Sequence, residues 1–470
     1  MKRFVSVLST LAACAILAPG CGSSDRASAD SVGIANPNNS SNGTGESGGG
    51  GGGAGMDSAL RFDAGGGTEG GQGSANPEGD DDCDETDLPT PDAHLRGTVY
   101  APNLEIPISG ALVYLTTGNP EPVPDEVYCA ECVEIPCDSH SVLSEADGSF
   151  TLPAVAGPNQ KLVVQKGQFL HITPIEVVLG NADVPADKSN LPGKWDAQNG
   201  EYIPRMAVVE TTNDTIYNIL AKIGLGVTDQ QGEWDQQPAG FDLLSQADGS
   251  QLLDNLEAMR AYHIIFIPCM SQGGLGTVLS PQRIDNIRQW VEAGGKWYVT
   301  DWANEYLIEP FGDYQEFHMS GGDPDLGFYN TTGNVLDQGL LDWLEALPPG
   351  LKDIGAGSPN LNSLPAVELH DNWSGLDAIP EIIVQNDEGE DINVGHHPWV
   401  EGPCVACSPA SVKPMTVSAG YGCGRMLFST YHTNENAHLG LTPQELILLY
   451  IILEIGVCHG DPPPPIPPIG

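Results

Sequence analysis

Basic side chains are scarce in this sequence. Only 18 lysines and arginines stand against 63 aspartates and glutamates, a formal charge of −45 over 470 residues. The shortage argues against nucleic acid as a partner, because such binding rests on cations that displace phosphate counterions. It argues equally against electrostatic docking on anionic lipid. Long apolar runs are also missing: beyond the first 21 residues, no segment is long and apolar enough to cross a bilayer. A third shortage is local. Residues 22–92 contain a single aromatic, Phe62, beside an unbroken glycine run at 48–53. Such a composition cannot bury enough surface to offset its ordering entropy. Residues 22–92 are therefore expected to form a disordered linker with a reach of roughly 40–50 Å. The linker closes on "GDDDCDETD" (79–87), a solvated acidic run without the spacing or glycine of an EF-hand loop.

The leader is the basic and apolar exception. Lys2 and Arg3 precede an apolar stretch, 4–17, that is too short to span a membrane, and the stretch ends in "LAPGC". This ending resembles the lipobox of bacterial lipoproteins. The resemblance implies that residues 1–21 are a signal peptide and lipidation site, with Cys21 acylated. It also implies a cell-envelope location, outer membrane or surface, with the membrane as partner through the lipid. An exported chain meets oxidising conditions, where cysteines default to disulfides. Beyond Cys14 and Cys21 stand Cys83, Cys129, Cys132, Cys137, Cys269, Cys404, Cys407, Cys423 and Cys458. That is an odd number, so at least one thiol is free or pairs between chains.

Residues 93–180 read as all-β. "LRGTVYAP", "GALVYLTT", "GSFTLPAV", "KLVVQKG" and "ITPIEVVL" alternate apolar with polar residues, and turn formers such as Asp147-Gly148 separate them. With Gly97, Pro107, Gly110 and the "ADGSF" run at 146–150, the stretch resembles the carboxypeptidase regulatory-like (transthyretin-like) module. That resemblance implies a small β-sandwich serving as an adhesive, spacer or carbohydrate-binding-like unit, with no peptidase. The loop "CAECVEIPC" (129–137) could hold zinc together with His140. The stronger expectation in an oxidising compartment is disulfides, with Cys83 as the fourth cysteine.

Residues 200–458 read as α/β. "MAVVE", "HIIFIP", "KWYVT" and "RMLFST" are strands, and "SPQRIDNIRQWVEAGG" is a helix capped by Ser280 with Pro281 in its first turn. Residues 213–225 read as a second helix. "TPQE" (442–445) is a capping box that opens the last one. Strands alternating with helices predict a mostly parallel sheet. The whole chain is thus expected to be multidomain, an all-β sandwich followed by a flavodoxin/amidotransferase-like α/β unit, with an extended proline-rich tail at 459–470.

"YHIIFIP", "WVEAGGKWYVT" and "YGCGRMLFSTYH" are similar to the class I glutamine amidotransferase-like fold, and within it to ThuA-like domains. The similarity leaves 310–412 unmatched. In active members a cysteine between glycines forms the elbow after the third strand, and a His–Glu pair follows a later strand. Here Asp301 falls at the elbow, without flanking glycines, while His432 and Glu435 fall near the His–Glu position. An aspartate cannot replace the thiol nucleophile.

Several uses of these residues stay open. The preferred one is a domain without catalysis, in which His432 and Glu435 contact structure or ligand. A divalent-metal site would draw on His432, Glu435, His438 and Asp301. A hydrolase would use Cys269 as nucleophile with His432, or the acids Asp301 and Glu305 as a pair. The histidine-flanked "CVAC" at 404–407 reads as a disulfide, and Cys423 with Cys458 as a candidate pair. Trp297, Tyr298, Trp302, Tyr306 and Phe311 read mainly as core, with sugar stacking as the alternative. The overall expectation is an exported accessory or adhesion protein with extracellular glycan or protein as ligand and no required cofactor.

Overall fold

The computed structural model describes residues 88–454, apart from 131–132, 134, 271–279, 356–357, 386–390 and 434–436. Cys21, the linker as far as residue 87, Cys83, Cys132, Glu435, Cys458 and the proline-rich tail lie outside the described residues. Among those described, no helix is long and apolar enough to cross a membrane.

The first part is built from short strands with alternating burial. They are β1 (Ala93–Thr98), β2 (Leu112–Thr116), β3 (Ser141–Leu143), β4 (Ser149–Ala154), β5 (Gly157–Lys166), β6 (Phe169–Val177), β7 (Gly180–Asp183) and β8 (Glu201–Tyr202). They form a three-stranded sheet, β4-β1-β7, and a five-stranded sheet, β3-β2-β5-β6-β8. Leu95, Phe150 and Leu152 from the first sheet share one core with Val113, Leu115, Leu162 and Val164 from the second. The opposite face of the larger sheet carries Tyr114, Val163 and Leu170, and the loop residue Val123 packs over them. The period of two along each strand assigns alternate residues to these two faces. The predicted turn at Asp147-Gly148 is present: Gly148 has φ +77°, and Ser149 N–H donates to Asp147 Oδ1 at 2.9 Å.

The second part is organised by a nine-stranded sheet. Its strands are β9 (Met206–Val209), β10 (Asp242–Leu244), β11 (Ile264–Ile267), β12 (Lys296–Thr300), β14 (Tyr329–Val335), β15 (Ala366–Asn372), β19 (His397–Cys404), β20 (Ser411–Tyr421) and β21 (Gly424–Ser429). Small two-stranded ladders pair β13 (Glu316–Phe317) with β16 (Leu376–Ala378) and β17 (Ile383–Gln385) with β18 (Asp391–Asn393). The order in the large sheet is β10-β9-β11-β12-β21-β20-β19-β14-β15. The pairs from β10 through β21 are parallel, and those from β21 through β15 are antiparallel.

The expectation of a mostly parallel sheet is therefore corrected to a sheet of two halves. The unmatched stretch is not irregular, since it supplies the antiparallel half. A tight hairpin at Gly422, φ +56°, reverses β20 into β21 and needs no crossover. Helices cover both faces of the parallel half, which is why β9, β11 and β12 are buried along their whole length. Ile265, Ile267, Trp297 and Val299 face the helix Pro281–Glu292. Ile264, Phe266 and Tyr298 face the other way, into the core that holds the last helix, Pro443–Glu454.

Both predicted caps form. Ser280 Oγ accepts from Arg283 N–H. Thr442 and Glu445 bond reciprocally, Thr442 N–H to Glu445 Oε2 at 2.8 Å and Glu445 N–H to Thr442 Oγ1 at 3.4 Å. The helix expected over 213–225 is shorter, Ile216–Leu220, followed by a wide turn, Ala221–Leu225. Gly224 ends it at φ +98°, where Ile223 O accepts from Asn103 N–H of the first part.

Two disulfides join described residues, Cys129–Cys423 and Cys404–Cys407. Cys129 bonds Cys423, 294 residues away, so Cys423 does not pair with Cys458 and Cys129 is not a zinc ligand. Cys404 closes a local loop with Cys407. Cys137 is also disulfide-bonded, and His140 Nε2 meets Pro89 O at 2.8 Å.

Candidate functional site

Parallel strands end on one edge, so side chains that follow β9, β11, β12 and β21 are brought together there. Cys269 lies just beyond β11, Asp301 immediately follows β12, His432 follows β21, and Asp214 follows β9. All four are buried, with exposures of 0–1%.

Asp301 makes the sharp turn of an elbow. Its φ is +50°, a left-handed conformation that non-glycine residues seldom adopt, and it opens the one-turn helix Asp301–Ala303. Its Oδ2 lies 2.9 Å from His432 Nδ1, and its Oδ1 accepts from Trp373 N–H at 2.9 Å. Cys269 Sγ is 3.9 Å from the same Oδ2, and the thiol also contacts His432. Ligand-type atoms of Cys269, Asp301 and His432 all fall within 4.8 Å of one another, so this trio could hold a metal ion.

Beneath the trio, Asp214 fixes the backbone that carries it. Its carboxylate accepts from Thr300 Oγ1 at 2.7 Å, from Thr433 N–H at 3.3 Å, from Cys269 N–H at 3.4 Å and from the Thr433 hydroxyl. Thr300 Oγ1 in turn accepts from Cys269 N–H at 2.9 Å. Sequence reasoning missed Asp214. The available signal was its place after the buried "MAVVE" strand, on the same edge as Asp301.

The electrostatics follow from burial. Desolvation pushes the Asp301 carboxyl up to about 6, against the hydrogen bond and charge of His432. Desolvation and the Asp301 charge push the Cys269 thiol up to about 11, again opposed by His432. Burial works against charge on His432, yet its hydrogen bonds to Asp301 and Cys269 and their charges hold it well above the ordinary imidazole range. A thiol with a pKa near 11 stays protonated at neutral pH, so the charge that sustains His432 there is that of Asp301. The trio is a hydrogen-bonded carboxylate–imidazole pair beside a thiol that burial keeps protonated. A protonated thiol is a poor nucleophile.

The expected metal set is only partly assembled. Cys269 stands in the described cluster, and His438 does not. Glu445 draws His438 to the cap of the last helix, where His438 Nε2 lies 2.8 Å from Glu445 Oε2 and 3.2 Å from Lys222 Nζ. Glu435 falls outside the described residues. Glu305 begins the helix Glu305–Phe311, and Asp301, its suggested partner in a paired-acid mechanism, already has both carboxylate oxygens engaged.

Of the five aromatics named from sequence, Trp297, Tyr298, Tyr306 and Phe311 are core. Trp302 is half-buried and packs on Trp373 with ring centroids 4.6 Å apart. Phe328 stands 5.4 Å beyond Trp373 and is 51% exposed. Around this edge, Trp302 Nε1, Asn304 Oδ1, Ser374 Oγ and His432 Nε2 are buried without a hydrogen-bond partner. Buried polar atoms are nearly always satisfied, so these atoms stand out at this edge.

No protein-family model matches the chain, and no curated protein matches it. Among solved structures, a ThuA-like protein from Bacteroides uniformis is similar at 13% identity, over 53% of this chain and 90% of that one, with a TM-score of 0.32. Cytoplasmic protein STM3548 from Salmonella typhimurium is similar at 10% identity, over 54% and 98%, with a TM-score of 0.31. A β-galactosidase from Bacillus circulans sp. alkalophilus is similar at 10% identity, over 53% and 30%, with a TM-score of 0.26. None of these likenesses assigns a residue or an activity.

Proposed function

We propose that the chain is an exported, lipid-anchored envelope protein that binds an extracellular glycan and does not turn it over. In this reading the N-terminal sheets are a carboxypeptidase regulatory-like sandwich. The second part is a ThuA-like, amidotransferase-like domain whose elbow has lost its nucleophile. The observation that carries the reading is Asp301: at the elbow stands a buried carboxylate, bonded to the His432 ring and the Trp373 backbone, where an amidase needs a thiol. The Trp302–Trp373–Phe328 group offers the ring faces that sugars stack on.

The test is a screen of extracellular glycans for retention and for product release, with His432→Ala alongside. Retention of a glycan with no products from either protein is the expected result. Product release by the wild type that disappears in His432→Ala would establish an enzyme instead. The contact between Cys269 and His432 favours one such enzyme, a cysteine hydrolase, and its turnover would also vanish in Cys269→Ala. The lipid anchor has its own test. Cys21→Ser should leave the membrane fraction, and fractionation like the wild type would overturn the anchor.

A further inference from the structure

We propose that Cys269, Asp301 and His432 form a binding site for a divalent, thiolate-accepting metal ion, with zinc as the fitting member of that class. The three donors come from the ends of three adjacent parallel strands, β11, β12 and β21, so the sheet itself holds their spacing. Tetrahedral zinc with thiolate, carboxylate and imidazole ligands needs donor–donor edges of roughly 3.4–3.6 Å, given its usual bond lengths. The observed edges are 3.9 Å from Sγ to Oδ2 and 2.9 Å from Nδ1 to Oδ2. Adjustments of about half an ångström bring them to coordination geometry.

Charge supports the same choice. In their ligating forms the donors are a thiolate, a carboxylate and a neutral imidazole, and together they cancel a divalent cation. A buried site that is neutral overall avoids the large cost of an unpaired buried charge. The side chains are 0–1% exposed, so solvent does not compete for the donors. The combination of soft sulfur with imidazole and carboxylate suits zinc and disfavours magnesium or calcium, which take oxygen alone. Binding is a substitution: the metal–sulfur bond forms as the thiol proton leaves to solvent. The proton shared between His432 and Asp301 leaves likewise. Asp214 and the hydroxyls of Thr300 and Thr433 keep the three strand ends in register around the site.

The test uses the exported chain stripped with a chelator and then titrated with zinc or with cobalt(II) as a spectroscopic substitute. The expected result is one metal per chain, a thiolate-to-cobalt charge-transfer band, and a rise in Tm with zinc. Cys269→Ser and Asp301→Asn should each weaken binding by more than about 100-fold, beyond the loss that removal of a supporting partner causes. Cys269→Ser should also lack the charge-transfer band. If a variant fails to fold, the wild type decides alone, because a bound metal must protect the Cys269 thiol from alkylation, as read by peptide mapping. No stoichiometric metal, a cobalt spectrum without the thiolate band, or unchanged Cys269 alkylation in saturating zinc would each overturn the site. Loss of glycan retention without loss of metal would refute only the function proposed above.

Discussion

His263 shows how one buried side chain adds to the acid sensitivity of this protein. It stands just before β11, with Nδ1 accepting from Arg205 N–H at 2.8 Å and Nε2 donating to Pro124 O at 3.1 Å. A ring that uses one nitrogen as acceptor must be neutral. Burial, with the nearby Lys296 charge, pushes its pKa from 6.5 down to about 4. As pH falls below 6.5 the unfolded chain takes up a proton that the folded chain refuses. The stabilisation is therefore complete above 6.5 and is lost as pH falls through 4, a change on the order of 3 kcal/mol. Urea unfolding from pH 7 to pH 4 should show a steeper loss of stability in the wild type than in His263→Gln. Equal slopes would mean that this ring titrates normally in the folded state.

At the scale of elements, what could be read from sequence was whatever local chemistry determines. The Ser280-Pro281 start, the Thr442–Glu445 box and the Asp147-Gly148 turn depend on residues within a few positions, and each forms as expected. Four of the five strands of the parallel half, all but β10, carry apolar runs, which is why "HIIFIP" and "KWYVT" were plain. The antiparallel half was invisible for the opposite reason. Its strands, such as "HPWVEGPC", are half-exposed and interrupted by proline and glycine, and their pairing depends on partners as distant in sequence as Asn334 and Glu401. The candidate site divides the same way. Asp301 and His432 were recognisable because each follows its strand directly. Asp214 was not, because its role is to tie Thr300, Thr433 and Cys269 across three strands, and only the fold creates that junction. His438 misled because spacing along a chain that leaves a strand end says little about direction. Glu445, one turn into the last helix, claims that ring instead.

The molecule as a whole is more unified than a sandwich followed by a separate α/β domain. One continuous core contains Leu95, Val113 and Leu152 of the small sheets together with Phe266 and Tyr298 of the large sheet and Leu449 of the last helix. Trp343 Nε1 donates to Pro107 O at 2.8 Å, and a buried ion pair joins Lys166 of β5 to Glu454. The Cys129–Cys423 disulfide fastens the loop over the five-stranded sheet to the β20–β21 hairpin. A link spanning 294 residues removes a large amount of freedom from the unfolded chain. On chain-entropy grounds its loss should cost roughly 5–6 kcal/mol. The shared core adds a second requirement. Because apolar contacts cross between the parts without interruption, the Cys129→Ala/Cys423→Ala variant should still unfold in one cooperative transition at a lower denaturant midpoint. Fluorescence and far-ultraviolet circular dichroism followed together would check this. Two separated transitions would show that the disulfide, and not the common core, makes the two parts one folding unit. In that case the elbow carrying Asp301 would unfold independently of the small sheets.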